Sequence, residues 1–368
     1  MRTRALSRLL VLAAGGALLA LLPAACGTSS ADAPAPLDDS GSGTPTPSPT
    51  PTADAAPADA ASSDGADAAD AAELSREGDG DFTIGPAYAD APEYAVTNAP
   101  RGTVNHFTLL STLSAIYPKN IANAQPFTRD VWVYVPSGYV AGTEVPFIVA
   151  QDGAAELDRL PRALDVLIRD KKLPVMAAIM INPGPGDGMG SERGLEYDTV
   201  SPAYGQFIES EILPKVTANY GLQLTANPDG RCAMGTSSGG AAAFTMAWFR
   251  PDRYHRVLTY SGTFVNQHPD ATYPHGAWEY HEHLIPMTAA KPLRVTLEVG
   301  ENDNGAGTAE ATFHNWPLAN QRMAAAFKAK DYRYRYLFAK GAGHVDDRVV
   351  RQTLPETLIW LWRGYPIK

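Results

Sequence analysis

The sequence predicts an α/β domain in which a mainly parallel central sheet is covered by helices on both faces. From about residue 129 to the C terminus, short apolar runs of strand-forming residues alternate with segments whose apolar residues recur at helical spacing. Buried strands joined by crossover helices produce this alternation. Such sheets bind ligands at the carboxyl ends of their strands, so the residues that follow the predicted strands are the candidates for function.

The predicted strands are short and apolar. In chain order they are residues 131–135, 147–150, 176–181, 232–234, 257–260, 295–299 and 332–338. The predicted helices carry apolar residues at helical spacing. They are residues 160–168, 204–216, a small-residue helix that runs through residue 248, residues 318–330 and residues 349–362. These elements predict one domain over residues 79–368.

The first 26 residues have the pattern of a secretory signal peptide. Three arginines precede an apolar run over residues 9–22, which is shorter than the about 20 residues that a helix needs to cross a bilayer. The segment ends in Ala-Ala-Cys26-Gly, which resembles the lipobox of bacterial lipoproteins. We therefore predict an exported protein that a lipid on Cys26 anchors to a bacterial membrane, on its periplasmic or cell-surface side. Cleavage without lipidation is the alternative, because Pro23 stands where the lipobox usually has Leu.

Residues 27–78 are a predicted disordered tether. Ala, Pro, Thr, Ser and Asp dominate the segment, and no Lys or Arg occurs in it before Arg76. Such a composition cannot bury enough apolar surface to offset the entropy of ordering. Pro-rich chain is locally extended, so the segment provides reach between the anchor and the domain. An acidic interaction tail is the alternative interpretation.

Charge and cysteine content narrow the possible partners. The formal net charge of −10 disfavours nucleic acid as a partner. One of the two cysteines, Cys26, is assigned to the lipid, which leaves Cys232 alone. We therefore expect no intrachain disulfide despite the predicted export.

The strongest local signal is Gly235-Thr236-Ser237-Ser238-Gly239, a G-x-S-x-G sequence between a predicted strand and a predicted helix. This context is typical of a nucleophile elbow, a sharp turn that presents a serine hydroxyl at the end of a strand. The following helix points the positive end of its dipole at the serine, which favours developing negative charge. We therefore predict Ser237 as the nucleophile. Ser238 is the alternative, although its own T-x-S-x-G lacks the first glycine.

A serine nucleophile requires a histidine base and a carboxylate that orients the histidine. The chain order after a nucleophile elbow is serine, acid, histidine. Of the eight histidines, His344 is the one that follows the last predicted strand, in a Gly-Ala-Gly-His loop. The acid is expected after residues 295–299, where both Glu301 and Asp303 are suitably placed, whereas Glu298 lies inside the strand.

The oxyanion of a tetrahedral intermediate requires two backbone N–H donors. One is expected from Ser238, directly after the nucleophile. The other is expected from the loop after residues 147–150, where Gly153 permits a close approach of the backbone.

Several segments beyond the elbow resemble one known family. They are WVYVPSGY, VAQDG, RGLEYD with FIESEILP, NPDGRCAMGTSSGGAAAF, FRPDRYHRVLTYSG, KPLRVTLEVGENDNG, NWPLANQRMAAA and GAGH. They resemble the putative-esterase family, which includes enterochelin esterases, S-formylglutathione hydrolases, feruloyl and acetylxylan esterases and mycolyltransferases. The similarity is greatest to the enterochelin-esterase-like branch and covers roughly residues 100–366.

The resemblance implies an α/β-hydrolase fold and a triad of Ser237, Asp303 and His344. The family's G-x-N-D spacing favours Asp303 over Glu301 as the acid. Within the chain, Val345 and the residues after it depart from the family, which often has Asn or His directly after the catalytic histidine.

The resemblance also implies substrate contacts. Arg193, Glu196 and Tyr197 match a segment near the family's pocket, and Trp316 is expected to give a flat apolar wall. The alternative is structural, with Arg193 and Glu196 paired to each other and Trp316 in the core. Since residues 182–203 are polar and glycine-rich, we expect short or aromatic acyl groups on a polar alcohol rather than long-chain lipids.

The predicted function is hydrolysis of a carboxylic ester, of a small molecule or a carbohydrate, through an acyl-serine. A siderophore trilactone and an acylated plant polysaccharide both fit. The alternatives are an acyltransferase, in which an alcohol captures the same acyl-enzyme, and an inactive hydrolase fold that only binds. No cofactor is expected. No metal is expected either, because Tyr280-His281-Glu282-His283 would place two histidines on one side of a strand without a third ligand.

Overall fold

The computed structural model of the protein describes residues 76–367. The predicted signal peptide, the lipidation of Cys26 and the tether up to residue 75 lie outside the described residues. The described chain begins with Arg76, whose guanidinium donates to both carboxylate oxygens of Asp331 at 2.9 and 3.0 Å. Within residues 76–367, no helix combines the length and the apolar character needed to pass through a bilayer.

Nine strands of the described chain form one sheet, and two short strands form a separate pair. The strands are β1 (Gly80–Ile84), β2 (Thr103–Leu110), β3 (Thr128–Val135), β4 (Glu144–Val145), β5 (Phe147–Gln151), β6 (Ala177–Ile181), β7 (Gln223–Leu224), β8 (Arg231–Thr236), β9 (Arg256–Tyr260), β10 (Arg294–Gly300) and β11 (Arg333–Ala339). The order across the large sheet is β1-β11-β10-β9-β8-β5-β6-β3-β2, and β4 pairs with β7.

The large sheet is mainly parallel, as the sequence predicts. Every neighbouring pair from β1 across to β6 is parallel, and β3 is antiparallel to both β6 and β2. The edge strands β1 and β2 were not expected. Most of their residues are at least partly exposed, so they lack the continuous apolar run that marks a buried parallel strand.

Helices cover both faces of this sheet. They are Gly153–Glu156, Leu160–Arg169, Glu192–Tyr197, Ala203–Phe207, Leu213–Tyr220, Ser238–Phe249, Ile285–Met287, Trp316–Ala329 and Asp347–Leu361. Wide π turns occur at Ile208–Ile212 and Tyr280–Leu284. Single 3₁₀ turns occur at Pro92–Ala95, Ser111–Leu113, Pro228–Gly230, Gly276–Trp278 and Glu310–Thr312.

Two separate apolar cores lie against the two faces. Along β5, Val149 belongs to the core that contains Phe244 and Phe327, whereas Ile148 belongs to the core that contains Leu358. Successive residues of a strand point to opposite faces, so one fully buried strand supplies both cores. This arrangement confirms the predicted α/β architecture with helices on both faces.

The helix predicted over residues 204–216 is interrupted. Regular helix ends at Phe207, a π turn covers Ile208–Ile212, and regular helix resumes at Leu213–Tyr220. Pro214 is the second residue of the resumed helix. Proline has no N–H to donate to the carbonyl four residues earlier, which accounts for the break in the regular hydrogen-bond ladder next to it.

Candidate active site

The turn between β8 and the helix Ser238–Phe249 holds Ser237 in an unusual backbone conformation, with φ 54° and ψ −128°. Such a conformation costs about 1–3 kcal/mol for a residue with a side chain. Two backbone hydrogen bonds hold it: Ser237 N–H donates to Tyr260 O at 2.9 Å, and Thr263 N–H donates to Ser237 O at 3.1 Å. A Cβ on Gly235 would lie 2.3 Å from Gly239 O, which explains the glycine before the serine.

Ser237, His344 and Asp303 come together from the carboxyl ends of three strands, β8, β11 and β10. His344 Nε2 lies 2.8 Å from Ser237 Oγ, and His344 Nδ1 lies 2.6 Å from Asp303 Oδ1. The His344 side chain is 25% exposed, while the Asp303 side chain is fully buried. The geometry therefore links a reachable hydroxyl through an imidazole to a buried carboxylate, which is the arrangement that activates a serine.

The Asp303 carboxylate is also fixed by its own loop. Asn304 N–H donates to Asp303 Oδ1 at 2.6 Å. On the other side of the imidazole, Val345 N–H donates to Ser261 Oγ at 2.9 Å, directly after His344. The residue after Asp303 and the residue after His344 thus each form a hydrogen bond through their own N–H. These two bonds limit the movement of the Asp303 and His344 side chains.

The two rival acids have other roles in the structure. Glu301 accepts from Lys340 Nζ at 3.0 Å and from Gly341 N–H at 2.9 Å, so it closes the loop that leads to His344. The hydrogen bond from Lys340 is the main cause that lowers the pKa of Glu301. Glu298 lies inside β10, is buried and has no hydrogen-bond partner for either carboxyl oxygen among the described residues. Burial raises its pKa well above the ordinary value of 4.5.

Thr263 lies beside Ser237 and was not predicted. Its Oγ1 is 3.4 Å from Ser237 Oγ and accepts a hydrogen bond from Trp316 Nε1 at 3.3 Å. The Trp316 ring meets the His344 ring edge-on, with centroids 6.1 Å apart. Trp316 is 8% exposed and belongs to the apolar core that contains Phe244, as the structural alternative expects, and its ring lies next to His344. Its position just after the carboxyl end of β9 was the sequence signal that could have identified Thr263 as a residue of the site.

The two predicted oxyanion donors lie at adjoining segments. Ser238 and Gly153 are each the first residue of a helix, so neither N–H has an acceptor within its own helix. A Cβ on Gly153 would lie 2.4 Å from the carbonyl carbon of Met180, and a Cβ on Gly239 would lie 2.8 Å from Asp152 Oδ2. Asp152, the residue before Gly153, therefore packs directly against Gly239, the residue after Ser238. The N–H groups of Gly153 and Ser238 thus lie on segments that are in contact.

The helix Glu192–Tyr197, which we call the short helix, lies within residues 182–203, for which no helix was predicted. Ser191 Oγ accepts from Gly194 N–H and caps the helix. Glu196 and Tyr197 on this helix are each only 1% exposed. Neither side chain exposes surface to a substrate in this structure, and their interpretation as substrate contacts stays a prediction.

The buried residues of the short helix bind other parts of the protein instead. The Glu196 carboxylate accepts from Arg129 Nη1 and Nη2 at 2.6 and 2.5 Å. The Tyr197 hydroxyl accepts from Asp152 N–H at 3.2 Å. Burial raises the pKa of Glu196, and Arg129 opposes that rise. Tyr197 therefore supports the residue before Gly153, whereas Glu196 ties the short helix to β3.

Arg193 does not pair with Glu196, contrary to the structural alternative. Its Nε and Nη2 donate to the two carboxylate oxygens of Asp152 at 3.0 and 2.9 Å, and its Nη1 donates to Asp187 at 2.6 Å. The Arg193 side chain is 13% exposed. Its main contact is thus with the residue that precedes Gly153 rather than with open solvent.

One further carboxyl lies behind the elbow. Asp198 follows the short helix directly and is buried. Burial raises its pKa to about 7, against the opposing effects of Ser238 and Arg193. The Asp198 carboxyl is therefore a buried acid group close to Ser238.

The segment in which no metal ligands were expected is helical rather than a strand, since Tyr280–Leu284 is a π turn. His281 is buried, and its pKa falls to about 3, chiefly because of that burial. A different set converges there: single ligand atoms of His275, Glu279 and Glu282 all lie within 4.8 Å of one another.

A protein-family model described as putative esterase matches residues 123–361. The structure of the enterobactin esterase from Shigella flexneri solved with enterobactin superposes with a TM-score of 0.56 and 20% identity, over 74% of this chain and 62% of that chain. The present chain thus accounts for less than two thirds of that protein's length. No curated protein sequence matches the chain.

Two ferulic acid esterases are also similar in structure. One superposes with a TM-score of 0.53 and 14% identity, over 72% of this chain and 99% of that chain. The other, from the anaerobic fungus Anaeromyces mucronatus, gives a TM-score of 0.52 and 13% identity, over 74% of this chain and 95% of that chain. At these identities the likeness concerns the fold.

Proposed function

We infer the chemistry of this chain from one premise: the chain belongs to the putative esterase family. On that premise it is a carboxylic ester hydrolase that forms an acyl-enzyme on Ser237. The observation that carries this proposal is the hydrogen-bonded series of Ser237 Oγ, His344 and Asp303, at 2.8 and 2.6 Å. The same series disfavours an inactive fold that only binds, since a binding protein has no need of an aligned base and acid.

In the first half-reaction, Ser237 Oγ attacks the ester carbonyl carbon while His344 Nε2 takes the hydroxyl proton. Asp303 stabilises the imidazolium that forms and holds its Nδ1–H. The carbonyl oxygen becomes an oxyanion, which the N–H groups of Ser238 and Gly153 stabilise. The tetrahedral intermediate then collapses, the C–O bond to the alcohol breaks, and His344 returns its proton to the leaving alcohol.

In the second half-reaction, water takes the place of the alcohol. His344 removes a proton from the water, and the resulting hydroxide attacks the acyl carbon of the Ser237 ester. The second tetrahedral intermediate expels Ser237 Oγ, which recovers the proton from His344. The products are one carboxylic acid and one alcohol, and the enzyme returns to its initial state.

The proposed substrates are esters of short or aromatic acids with a polar alcohol, such as a siderophore ester or an acylated carbohydrate. Thr263 Oγ1 lies next to Ser237 and the ring of Trp316 next to His344, while the Asp152 carboxylate lies beside Gly239 of the elbow. Such a mixed rim suits an aryl or short acyl group joined to a hydroxyl-rich partner better than a long alkyl chain.

The test is a panel of aryl acetate, butyrate and decanoate esters, a methyl ferulate and a trilactone, assayed with the wild type and with Ser237→Ala. Loss of the nucleophile is expected to lower turnover on the order of a million-fold. Ser238→Ala is the matched control, since it keeps the backbone N–H and should keep the activity. Rates that rise steadily from acetate to decanoate, or activity that disappears only in Ser238→Ala, would contradict the proposal.

We also propose that the chain is exported and anchored through a lipid on Cys26. The basic start, the apolar run and the lipobox-like sequence support this. Incorporation of a labelled fatty acid in a bacterial host should occur with the wild type and disappear in Cys26→Ser. Equal labelling of both chains, or labelling of neither, would reject the anchor.

A further inference from the structure

A group of charged side chains lies outside the triad, in the chain between β9 and β10. His275, Glu279 and Glu282 follow one another at spacings of four and three residues, which places side chains on one face of a helical segment. The 3₁₀ turn Gly276–Trp278 and the π turn Tyr280–Leu284 form this segment. π turns occur frequently at functional sites.

Two of the three distances between these ligand atoms are close to the edges of a metal coordination shell. His275 Nδ1 lies 3.4 Å from Glu279 Oε1 and 3.6 Å from Glu282 Oε2. For a tetrahedral ion with bonds of about 2.0–2.1 Å, neighbouring ligand atoms are about 3.3–3.4 Å apart. One ion therefore fits between the three atoms with small adjustments of the side chains.

The His275 side chain is 34% exposed, but its Nδ1 faces into the cluster. This nitrogen is buried and has no hydrogen-bond partner among the described residues, although two carboxylates face it. The ring cannot easily turn away, because it stacks on Phe313 with centroids 3.9 Å apart and an interplanar angle of 15°. Where this nitrogen faces two carboxylates, either a proton on Nδ1 or a metal cation that takes the proton's place satisfies the contact.

The Glu279 carboxylate is also held in place by two further groups. Glu279 accepts from His275 N–H at 3.2 Å, and His283 Nδ1 lies 2.6 Å from Glu279 Oε2. Metal-binding side chains are usually oriented by such outer hydrogen bonds. A dication would also balance the two negative charges of Glu279 and Glu282.

We propose that His275, Glu279 and Glu282 bind one divalent first-row transition-metal ion, with Zn²⁺ as the representative. Imidazole nitrogen selects such ions over Ca²⁺ and Mg²⁺, which prefer oxygen ligands. None of the three ligands belongs to the triad, and because His275 stacks on Phe313, the ion would hold the segment Gly276–Leu284 beside that ring. The site is therefore structural, and its occupancy is expected to stabilise the folded chain.

The test is Zn²⁺ binding to the full-length protein after removal of metal with a chelator, measured by calorimetry and by the melting temperature. The wild type should bind one Zn²⁺ per chain and melt at a higher temperature when the ion is present. Glu282→Gln and His275→Gln should each weaken binding at least tenfold. Glu282 is 37% exposed in its side chain, so the first variant is expected to fold.

The matched control is Glu310→Gln, which removes a carboxylate that pairs with Arg322 at 2.6 Å and is not among the three ligands. It should bind Zn²⁺ like the wild type. The proposal is overturned if the wild type binds no stoichiometric Zn²⁺, or if Glu282→Gln and His275→Gln bind it as tightly as Glu310→Gln does. Equal binding of Ca²⁺ would also overturn it.

Discussion

The triad and the short helix both lie near the carboxyl edge of the sheet, but they use their charged groups in opposite ways. The His344 side chain remains 25% exposed above the buried Asp303, so the series ends in a group that a substrate can reach. Glu196 on the short helix is closed off by Arg129, and neither side chain is more than 2% exposed. Proximity of a polar residue to a site therefore does not give it a catalytic or binding role. The role depends on whether one of its faces remains open.

Among the variants that compare these two regions, the largest effect is expected from a change within the triad that keeps its shape. Asp303→Asn should lower turnover about ten-thousand-fold, because the amide favours the wrong tautomer of the histidine. Glu301→Gln is the matched control and should retain most of the activity, since Glu301 holds Lys340 and the backbone of Gly341 rather than His344. Rates on a small aryl ester decide between them. Equal losses in both variants would remove the distinction between the two acids.

A change in the buried ion pair between Arg129 and Glu196 should lower stability rather than turnover. Glu196→Ala leaves Arg129 buried without its partner, so the free energy of unfolding is expected to fall by about 3–5 kcal/mol. Turnover per folded molecule should fall far less than in Asp303→Asn. Denaturant unfolding and active-site titration measure the two quantities.

The control for that variant is Asp252→Asn, which breaks an exposed pair with Arg250. Its effect on stability should be within about 1 kcal/mol. Glu196→Ala could instead be as stable as this control and lose most of its turnover. Glu196 would then act in catalysis, which would contradict its assignment to a structural role.

Arg193 is intermediate between the exposed His344 and the buried Glu196. Its side chain is 13% exposed, and it is paired with Asp152. Since it acts through Asp152, Arg193→Ala should lower kcat about tenfold, which is less than the loss of an oxyanion donor. The loss should be the same for an aryl acetate and for a ferulate, with KM nearly unchanged. Arg250→Ala is the control and should have no effect. A rise in KM confined to the polar substrate would show instead that Arg193 contacts the substrate.

The smallest effect concerns Glu298 and depends on pH. Burial raises the pKa of Glu298 well above 4.5, so the folded chain keeps a proton that the unfolded chain releases above that pH. Stability therefore falls as the pH rises through this window, by about 1.4 kcal/mol for each unit of the pKa shift. Glu298→Gln removes the loss, so its melting temperature should equal that of the wild type at pH 4 and exceed it at pH 8.

Glu301→Gln provides a control of opposite sign. The pKa of Glu301 is lowered, mainly by Lys340, so this carboxylate contributes stability above pH 4.5 that is lost as the pH falls. Its variant should melt slightly below the wild type at pH 8 and approach it at low pH. Identical pH profiles for the two variants would contradict the assignment of a neutral Glu298.

The sequence was sufficient for the buried strands and for the proximity of Ser237, Asp303 and His344. A buried parallel strand leaves a continuous apolar run, and residues after such strands meet at one edge of the sheet. The strands β1 and β2 carry no such run, because one side of each is exposed. The sequence was also insufficient for the short helix, whose length of six residues is too small for a periodic pattern.

Long-range pairs account for the remaining differences. Arg129 and Glu196 are 67 residues apart in the chain, and no local pattern links them. The contact between Thr263 and Trp316 likewise joins loops after different strands. The cluster of His275, Glu279 and Glu282 was missed because residues 280–283 were treated as a strand, whereas Tyr280–Leu284 is a π turn. In each case the fold of the chain, rather than local spacing, determines which side chains meet.

The central claim is that Ser237 is the group that His344 and Asp303 activate. The most direct measurement is the mass of the intact full-length protein after treatment with a fluorophosphonate, followed by peptide mapping. We expect one adduct per chain, located on Ser237, absent in Ser237→Ala and formed much more slowly in His344→Ala. An adduct on Ser238 or another serine, or an unmodified wild type that still hydrolyses esters, would contradict the claim.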